Sequence, residues 1–467
     1  MDDEGPPAEP APKTLTARQR KALCVVVGAV IALGAGCVLS PWLVSGYWNR
    51  RAARVLDGLA TEGLGVDDAS LFREPAADDG AGLLGSVVRQ VHDLPEDLSL
   101  LRGSSPEALA AASRDPESEL GRGVIWGDGS DRSAAGLEAA VKRLLARLDG
   151  HDAELDRALS RSCVFPVDRS QGYETEMPHL MGIKALLQVL EVRAGWASLE
   201  GRPAEAWADV ERMLRLSARL EAPTLLERLV QIACLERSVQ ALAELLRLGP
   251  PPSAERRRSI DELLAELDGP GYQRAMRGEL NMSTHSLPAE PGEFFRKNVP
   301  AQQGGAGLPA FLVGAFLYAY WRADLFEHQA RLVRVTGGTR DEVLAEDARL
   351  TELGQAKRLG TLSALMLPKL SAGHRKDTEC MARIRLARLA LRLVRGGDLP
   401  AAAPPDPGED PWDGHPLRYR RLAADRARIW SCGRDGVDDG GKAVGRDEQV
   451  PDSGTDLVVE LAPPRRP

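Results

Sequence analysis

The densest group of residues able to do chemistry lies near the C-terminus. There Gly433-Arg434-Asp435-Gly436-Val437-Asp438-Asp439-Gly440-Gly441 runs into a polar stretch that ends at Thr455. Aspartates set among glycines bring carboxylates and exposed backbone carbonyls together, the donors that a hard cation gathers roughly six to eight at a time. The same composition also describes a solvated acidic loop, and spacing alone leaves both readings open. An EF-hand is excluded, because the D-x-D-x-D-G spacing and its twelfth-position glutamate are missing.

Little else in the chain points to a reaction. The histidines are His92, His151, His179, His285, His328, His374 and His415, and none sits in H-E-x-x-H. No G-x-S-x-G or G-x-x-x-x-G-K-[ST] string occurs. Gly80-Ala81-Gly82-Leu83-Leu84-Gly85 has the G-x-G-x-x-G form, but it follows Asp78-Asp79 rather than an apolar strand. The dinucleotide-binding context is therefore absent, and a turn before a short helix is expected. Glu327-His328 reads as a surface pair on a helix, and Tyr173, Glu174, Glu176 and His179 as a polar group capping the helix that follows. No residue is assigned a catalytic role. An enzyme whose site is assembled from scattered residues is kept as the alternative class.

The elements that must carry these residues are mostly helical. The chain has 467 residues, 43% hydrophobic and 27% charged, with aromatics at 4%. Ala, Leu, Arg and Glu dominate its middle, which favours helix over strand. A net charge of −8 argues against nucleic acid as a partner. Cys163, Cys234, Cys380 and Cys432 are far apart in sequence, without a C-x-x-C pair, so zinc spacing is missing. Buried free thiols are expected, with one disulfide in an oxidising compartment as the other reading.

Residues 22–44 form a run of 23 residues without a charge. About 20 apolar residues suffice to cross a bilayer. Trp42, Tyr47 and Trp48 stand at its far end, where amphipathic rings favour the interface. A transmembrane anchor over residues 21–48 is expected, preceded by a disordered cytoplasmic tail over 1–20. Two other readings stay open. One is a cleaved signal peptide; the other is a lipoprotein signal, since Leu33-Gly34-Ala35-Gly36-Cys37 loosely resembles a lipobox.

Beyond the anchor, residues 49–131 are mixed, with short helices at Arg51–Leu59, Leu83–His92 and Pro106–Ser113. A helical domain follows over 132–397. Leu137, Val141, Leu144, Leu145 and Leu148 recur at helical spacing. Helices are expected over Pro178–Leu199, Ala204–Leu220, Pro223–Leu248 and Ala254–Leu267, the last capped by Ser253. The turn Glu200-Gly201-Arg202-Pro203, with small Ala206 after it, resembles that of a tetratricopeptide hairpin, though no 34-residue period accompanies it. Residues 268–306 read as loop with short helices. Leu308–Trp321 is an apolar run of 14 residues, too short to span a membrane, and reads as a core helix continuing to Val335. Arg340–Glu352 and His374–Arg395 complete the helices.

After a Pro/Gly-rich linker, a small antiparallel β module is expected over 398–467. Its strands lie near Tyr419, at Ala427–Ser431, and at Asp456–Leu461. Asp410-Pro411-Trp412, Gly414, Pro416 and Tyr419, then Ser431, Gly433, Asp435 and Gly436, then Asp456-Leu457, together resemble the C-terminal part of type II secretion major pseudopilins. Asp413 is one residue more than that pattern holds. In the family this loop binds calcium. The resemblance therefore implies calcium here, with Asp435, Asp438, Asp439 and Asp456 as side-chain ligands and Ser431 and Asp452 as lesser candidates. The match spans about 50 residues, and the chain lacks a pseudopilin leader and the early glutamate of its helix. The whole resembles an anchored helical protein of planctomycete-like bacteria bearing a pseudopilin-like module. The expectation is a mainly α protein of the cell inner membrane, single-pass, with most of the chain outside the cytoplasm. It would act as a scaffold or interaction protein with a link to type II secretion or pilus-like assembly, with a protein partner on its helical domain and calcium in its C-terminal module.

Overall fold

The computed structural model describes residues 45–92, 133–269, 271–290, 308–367, 370–394, 399–442 and 456–461. The expected tail over 1–20, residues 21–44 of the expected anchor, the helix Pro106–Ser113 and Asp452 lie outside these residues. Among the described residues no helix is long and apolar enough to cross a membrane.

The described chain is mainly helical, with one three-stranded antiparallel sheet near the C-terminus. Helix α1 covers 45–61. It is followed by α2 (Asp68–Leu71), α3 (Ala81–His92), α4 (Ala134–Leu145), α5 (Asp152–Leu159) and a 3-10 turn at Arg169–Glu174. Then come α6 (Pro178–Leu199), α7 (Pro203–Arg219), α8 (Leu225–Leu248), α9 (Ala254–Leu267) and α10 (Gly271–Ser286). The last helices are α11 (Leu308–Val335), α12 (Arg340–Gln355), α13 (Thr361–Met366) and α14 (Leu370–Leu393). Strands β1 (Arg418–Ala423), β2 (Arg426–Ser431) and β3 (Leu457–Leu461) close the order.

Local chemistry explains most boundaries. Gly201 takes φ +73° after α6, a left-handed position that costs other residues a Cβ clash. The Arg202 N–H reaches back to the Ala197 carbonyl at 2.8 Å, which ties off the helix end. Pro203 begins α7, where its missing N–H costs nothing, and Ala206 is fully buried against α6. Helix α8 opens on a capping box between Thr224 and Glu227, and Ser253 caps α9 by accepting from the Arg256 N–H at 3.2 Å.

Among the described residues, two large apolar cores result, with a small cluster of Ala382, Trp412 and Cys432 beside them. The larger gathers Leu137, Val141, Leu144 and Leu148 with the inward faces of α3 and α5 to α9, part of α14, and Ala427, Ile429 and Leu461 of the sheet. The smaller is built around Phe326 of α11 by Ala52 and Leu59 of α1, Leu71 of α2, and Tyr272, Met276 and Leu280 of α10. The apolar run from Leu308 thus contributes to a core helix, with Tyr318 and Ala319 buried.

Residues 271–286 differ from the loop expected there. Glycine, asparagine and serine in that stretch disfavour an isolated helix, yet it folds as a 16-residue helix. Its neighbours decide the matter. A Cβ on Gly278 would lie 1.8 Å from the Pro223 carbonyl oxygen, so the glycine lets α10 sit against the loop before α8. Asn281, almost fully buried, donates to the Val66 carbonyl at 2.9 Å and to Asp68 at 2.8 Å.

In the sheet, β2 is central, with Tyr419 opposite Ile429 on one side and Val459 opposite Ile429 on the other. Ala427, Ile429 and Leu461 are buried, while Leu457 and Val459 are half-buried against the same core. The sheet packs on α14, and β3 also meets α8.

Candidate functional site

The acidic residues of the C-terminal module fall into two groups, on either side of Arg418. The inner group centres on Asp410, which is completely buried. Its Oδ1 accepts the Trp412 N–H at 3.1 Å and the Ser431 hydroxyl at 2.8 Å. Its Oδ2 accepts the Cys432 N–H at 2.9 Å and the Arg418 guanidinium. The same guanidinium grips Asp413, and its Nε lies 3.6 Å from Asp438. Backbone bonds shape the loop that presents this carboxylate. The Asp410 N–H donates to the His415 carbonyl at 2.7 Å, and the Gly414 N–H returns to the Asp410 carbonyl at 2.9 Å. The Asp-Pro-Trp segment is therefore a clasp that fastens the start of the module to the end of β2.

Asp410, Asp413 and Cys432 hold ligand atoms within 4.8 Å of one another, and they form the one such acidic, thiol or imidazole group among the described residues. Their donor set could take a soft or borderline metal. The positive charge at their centre is already supplied by Arg418. Burial, reinforced by the charges of Asp410 and Asp413, pushes the Cys432 thiol well above its ordinary range and keeps it protonated. The group is a buried ion-pair knot, and a metal would have to displace Arg418 to enter it.

The outer group holds the residues expected to bind calcium, and the structure separates them. Asp435 is exposed, and its Oδ1 accepts the Val437 N–H at 3.0 Å within its own turn. The Trp430 indole N–H at 2.8 Å and the Gly440 N–H at 2.9 Å both donate to Asp438. Burial opposes ionisation there, but these bonds and the charge of Arg418 hold its carboxyl below the ordinary range. Asp456, buried at the start of β3, accepts the Gly441 N–H at 2.7 Å and the Asp439 N–H at 3.4 Å. Burial raises its carboxyl, with the charges of Asp438 and Asp439 adding to the effect. Asp438, Asp439 and Asp456 thus stand near one another at the turn Asp438–Gly441, whereas Asp435 bonds within its own turn. As a donor set for calcium, three carboxylates with turn carbonyls are chemically suitable, but they are not drawn into one cage. Ser431 is committed to Asp410.

The signal for the inner group was present in the sequence. Asp410-Pro411-Trp412 opens the motif read from the sequence, and Asp413, the residue in excess of it, joins Asp410 in pairing with Arg418. What pattern could not show is that Arg418 on β1 points back at both.

The other polar groups have structural roles. His179 does not cap α6; its ring stacks on Phe165 at 4.5 Å, and burial, with the charge of Arg169, lowers it to about 4. The Tyr173 hydroxyl pairs with the Ser283 hydroxyl at 2.7 Å instead of serving a helix end. Glu327 receives Arg51 of α1 at 2.7 Å, and His328 is half-buried between Asp324 and Arg349. In the glycine string, a Cβ on Gly80 would meet the Ala158 carbonyl at 2.5 Å, and Asp79 accepts the Val164 N–H at 3.0 Å. That turn holds α3 against α5 and leaves no cradle for a phosphate. Cys163, Cys234, Cys380 and Cys432 are free thiols, all buried.

No protein-family model, no curated protein and no solved structure matches the chain.

Proposed function

We propose that this chain is a membrane-anchored scaffold of the cell envelope, and that its helical body presents a face to a protein partner. The observation that carries the reading is the way α1 is built into the body. The 23-residue uncharged run ends where α1 is already described, at 45. Helix α1 buries Ala52 and Leu59 in the smaller core and bonds to α11 through Arg51–Glu327 and Glu62–Arg334. A bilayer anchor at that position would hold the body directly, without a flexible spacer.

Calcium in the C-terminal module is the second part of the proposal, with Asp438, Asp439 and Asp456 as the side chains that would hold it. Bound there, the ion would offset two of the three negative charges of neighbouring carboxylates and tie the base of β3 to the turn after β2. Support comes from the resemblance of the motif and from the mutual proximity of those carboxylates. A cell-envelope location fits this reading, because weak calcium sites fill at extracellular concentrations.

The test is a thermal melt of the full chain in detergent, in calcium and then in chelator, with magnesium as control. We expect calcium to raise the midpoint and Asp439→Asn to abolish the rise. We expect Asp435→Asn to leave it intact. In parallel, residues 1–48 fused to a soluble reporter should partition into membranes. A soluble fusion would end the anchor reading, and an unmoved midpoint would end the calcium reading.

A further inference from the structure

An open cavity lies where the ends of four helices meet. The chain leaving α5 (Ser160–Cys163), the chain leaving α7 (Ala218–Ala222), the end of α9 and the start of α10 enclose about 490 Å³, with Arg228 and Gln231 of α8 as a wall. This volume is in the range that holds a small molecule, but the walls are mainly polar and strongly basic. Five arginines line it: Arg73, Arg161, Arg219, Arg228 and Arg274. They face two glutamates, Glu221 and Glu266.

Pairing accounts for only part of that charge. Arg219 bonds Glu266 at 3.0 Å, and Arg73 lies 3.6 Å from Glu221. Arg228 is buried and bonds Asp377, behind the wall, at 2.7 Å. Arg161 and Arg274 are different. Arg161 donates to the Asp78 carbonyl at 3.2 Å, and Arg274 to the Leu71 carbonyl at 2.8 Å. Among the described residues, neither has a carboxylate within ion-pair distance. Two positive charges are left uncompensated in one cavity. Arg277, three residues along α10, is held below its ordinary range by burial and by the charge of Arg274.

Three helices point their C-termini at this cavity, and their negative ends would favour cations. The protein has answered two of those ends from within. Gln231 donates to the Ser217 carbonyl at 3.0 Å and the Leu220 carbonyl at 2.9 Å, covering the end of α7. Arg219 approaches the Leu159 carbonyl at 3.4 Å, at the end of α5. Helix α10, by contrast, presents its N-terminus with no acidic residue in its first turn. The remaining field favours an anion.

We propose that this cavity binds the phosphate group of a small phosphomonoester, with Arg161 and Arg274 as its charge partners. A phosphomonoester carries close to two negative charges at neutral pH, which matches the two unpaired guanidiniums. Guanidinium forks also suit phosphate oxygens in bidentate geometry. The proposal is independent of the membrane and calcium readings.

The experiment is a titration of the full chain with inorganic phosphate, read by calorimetry and thermal shift, against chloride at equal ionic strength and against citrate. We expect saturable phosphate binding. In the Arg161→Gln, Arg274→Gln double variant the Kd should rise at least about tenfold, as expected for losing charge-assisted bonds. Each guanidinium makes one main-chain bond, so a separate variant guards against loss of fold. Glu221→Gln removes a negative charge from the rim, and should tighten phosphate binding. Absence of a phosphate effect beyond chloride overturns the proposal. So does undiminished binding in the double variant, weaker binding in Glu221→Gln, or a response to citrate alone.

Discussion

A single arginine organises the C-terminal module. Arg418 bonds Asp410 and Asp413 and stands 3.6 Å from Asp438, so one guanidinium links the clasp, strand β1 and the acidic turn. Asp410 is fully buried, and removing its charge partner would leave an ionised carboxylate in the interior with only neutral donors. Breaking a buried pair in this way costs about 3–5 kcal/mol. We expect Arg418→Met to destabilise the protein by about that amount in chemical denaturation, and Asp410→Asn in the same chain to restore part of it. A loss under about 1 kcal/mol would show that the pair does not hold the clasp. The acidic types and their spacing were legible in the sequence, and so was the importance of the Asp-Pro-Trp segment. The roles were not. Asp435 looked equivalent to Asp438 as a string, yet one bonds its own turn and the other bonds Trp430. The distinction comes from the Trp430 indole on β2, which the folded turn brings to Asp438 and which the string of aspartates and glycines does not reveal.

At the scale of elements, α14 is the platform on which the sheet rests. Arg434, in the turn after β2, bonds Glu379 of α14 at 2.7 Å, and Arg340 of α12 holds the Arg434 carbonyl at 2.8 Å. Burial alone would raise Glu379, but its bonds to Arg434 and Arg383 prevail and lower it to about 2. A carboxylate depressed in the folded state stabilises above its ordinary pKa, and that contribution is lost as pH falls through the folded value. The window here runs from pH 4.5 down to about 2. Glu379→Gln should therefore cost on the order of 2–3 kcal/mol near neutrality and flatten the acid limb of the stability curve within that window. Unchanged acid sensitivity in the variant would exclude this contact as the cause. Helices α6 to α9 could be read from sequence almost to their ends, because they are long apolar-rich stretches bounded by proline, glycine or a capping side chain. Helix α10 could not, because Gly278 and Asn281 weaken it locally and are explained only by the Pro223 carbonyl and the α2 segment against which they pack.

Among the described residues, two large cores are joined through α8, α10 and α14, with the N-terminal helix α1 embedded in the smaller one. Trp48 meets Tyr320 edge-on at 5.0 Å, and Glu62 receives Arg334 at 2.7 Å near the other end of α1. The Arg51–Glu327 and Glu62–Arg334 ion pairs are partly exposed, so solvent screens both and each contributes little to stability. We expect the double variant Glu62→Gln, Glu327→Gln to leave the global melting midpoint nearly unchanged while amide exchange in α1 speeds up. If exchange there stays as slow as before, the apolar contacts alone seat the helix. The clamped seat also has a mechanical consequence. A helix fastened near both ends and along one face resists a pull along its axis in shear, with all its contacts loaded together. A pull across the axis would instead peel it one contact at a time. Tension entering at residue 45 would therefore pass into α11 as torque and tilt the body as a lever, where a loose tether would let it swivel.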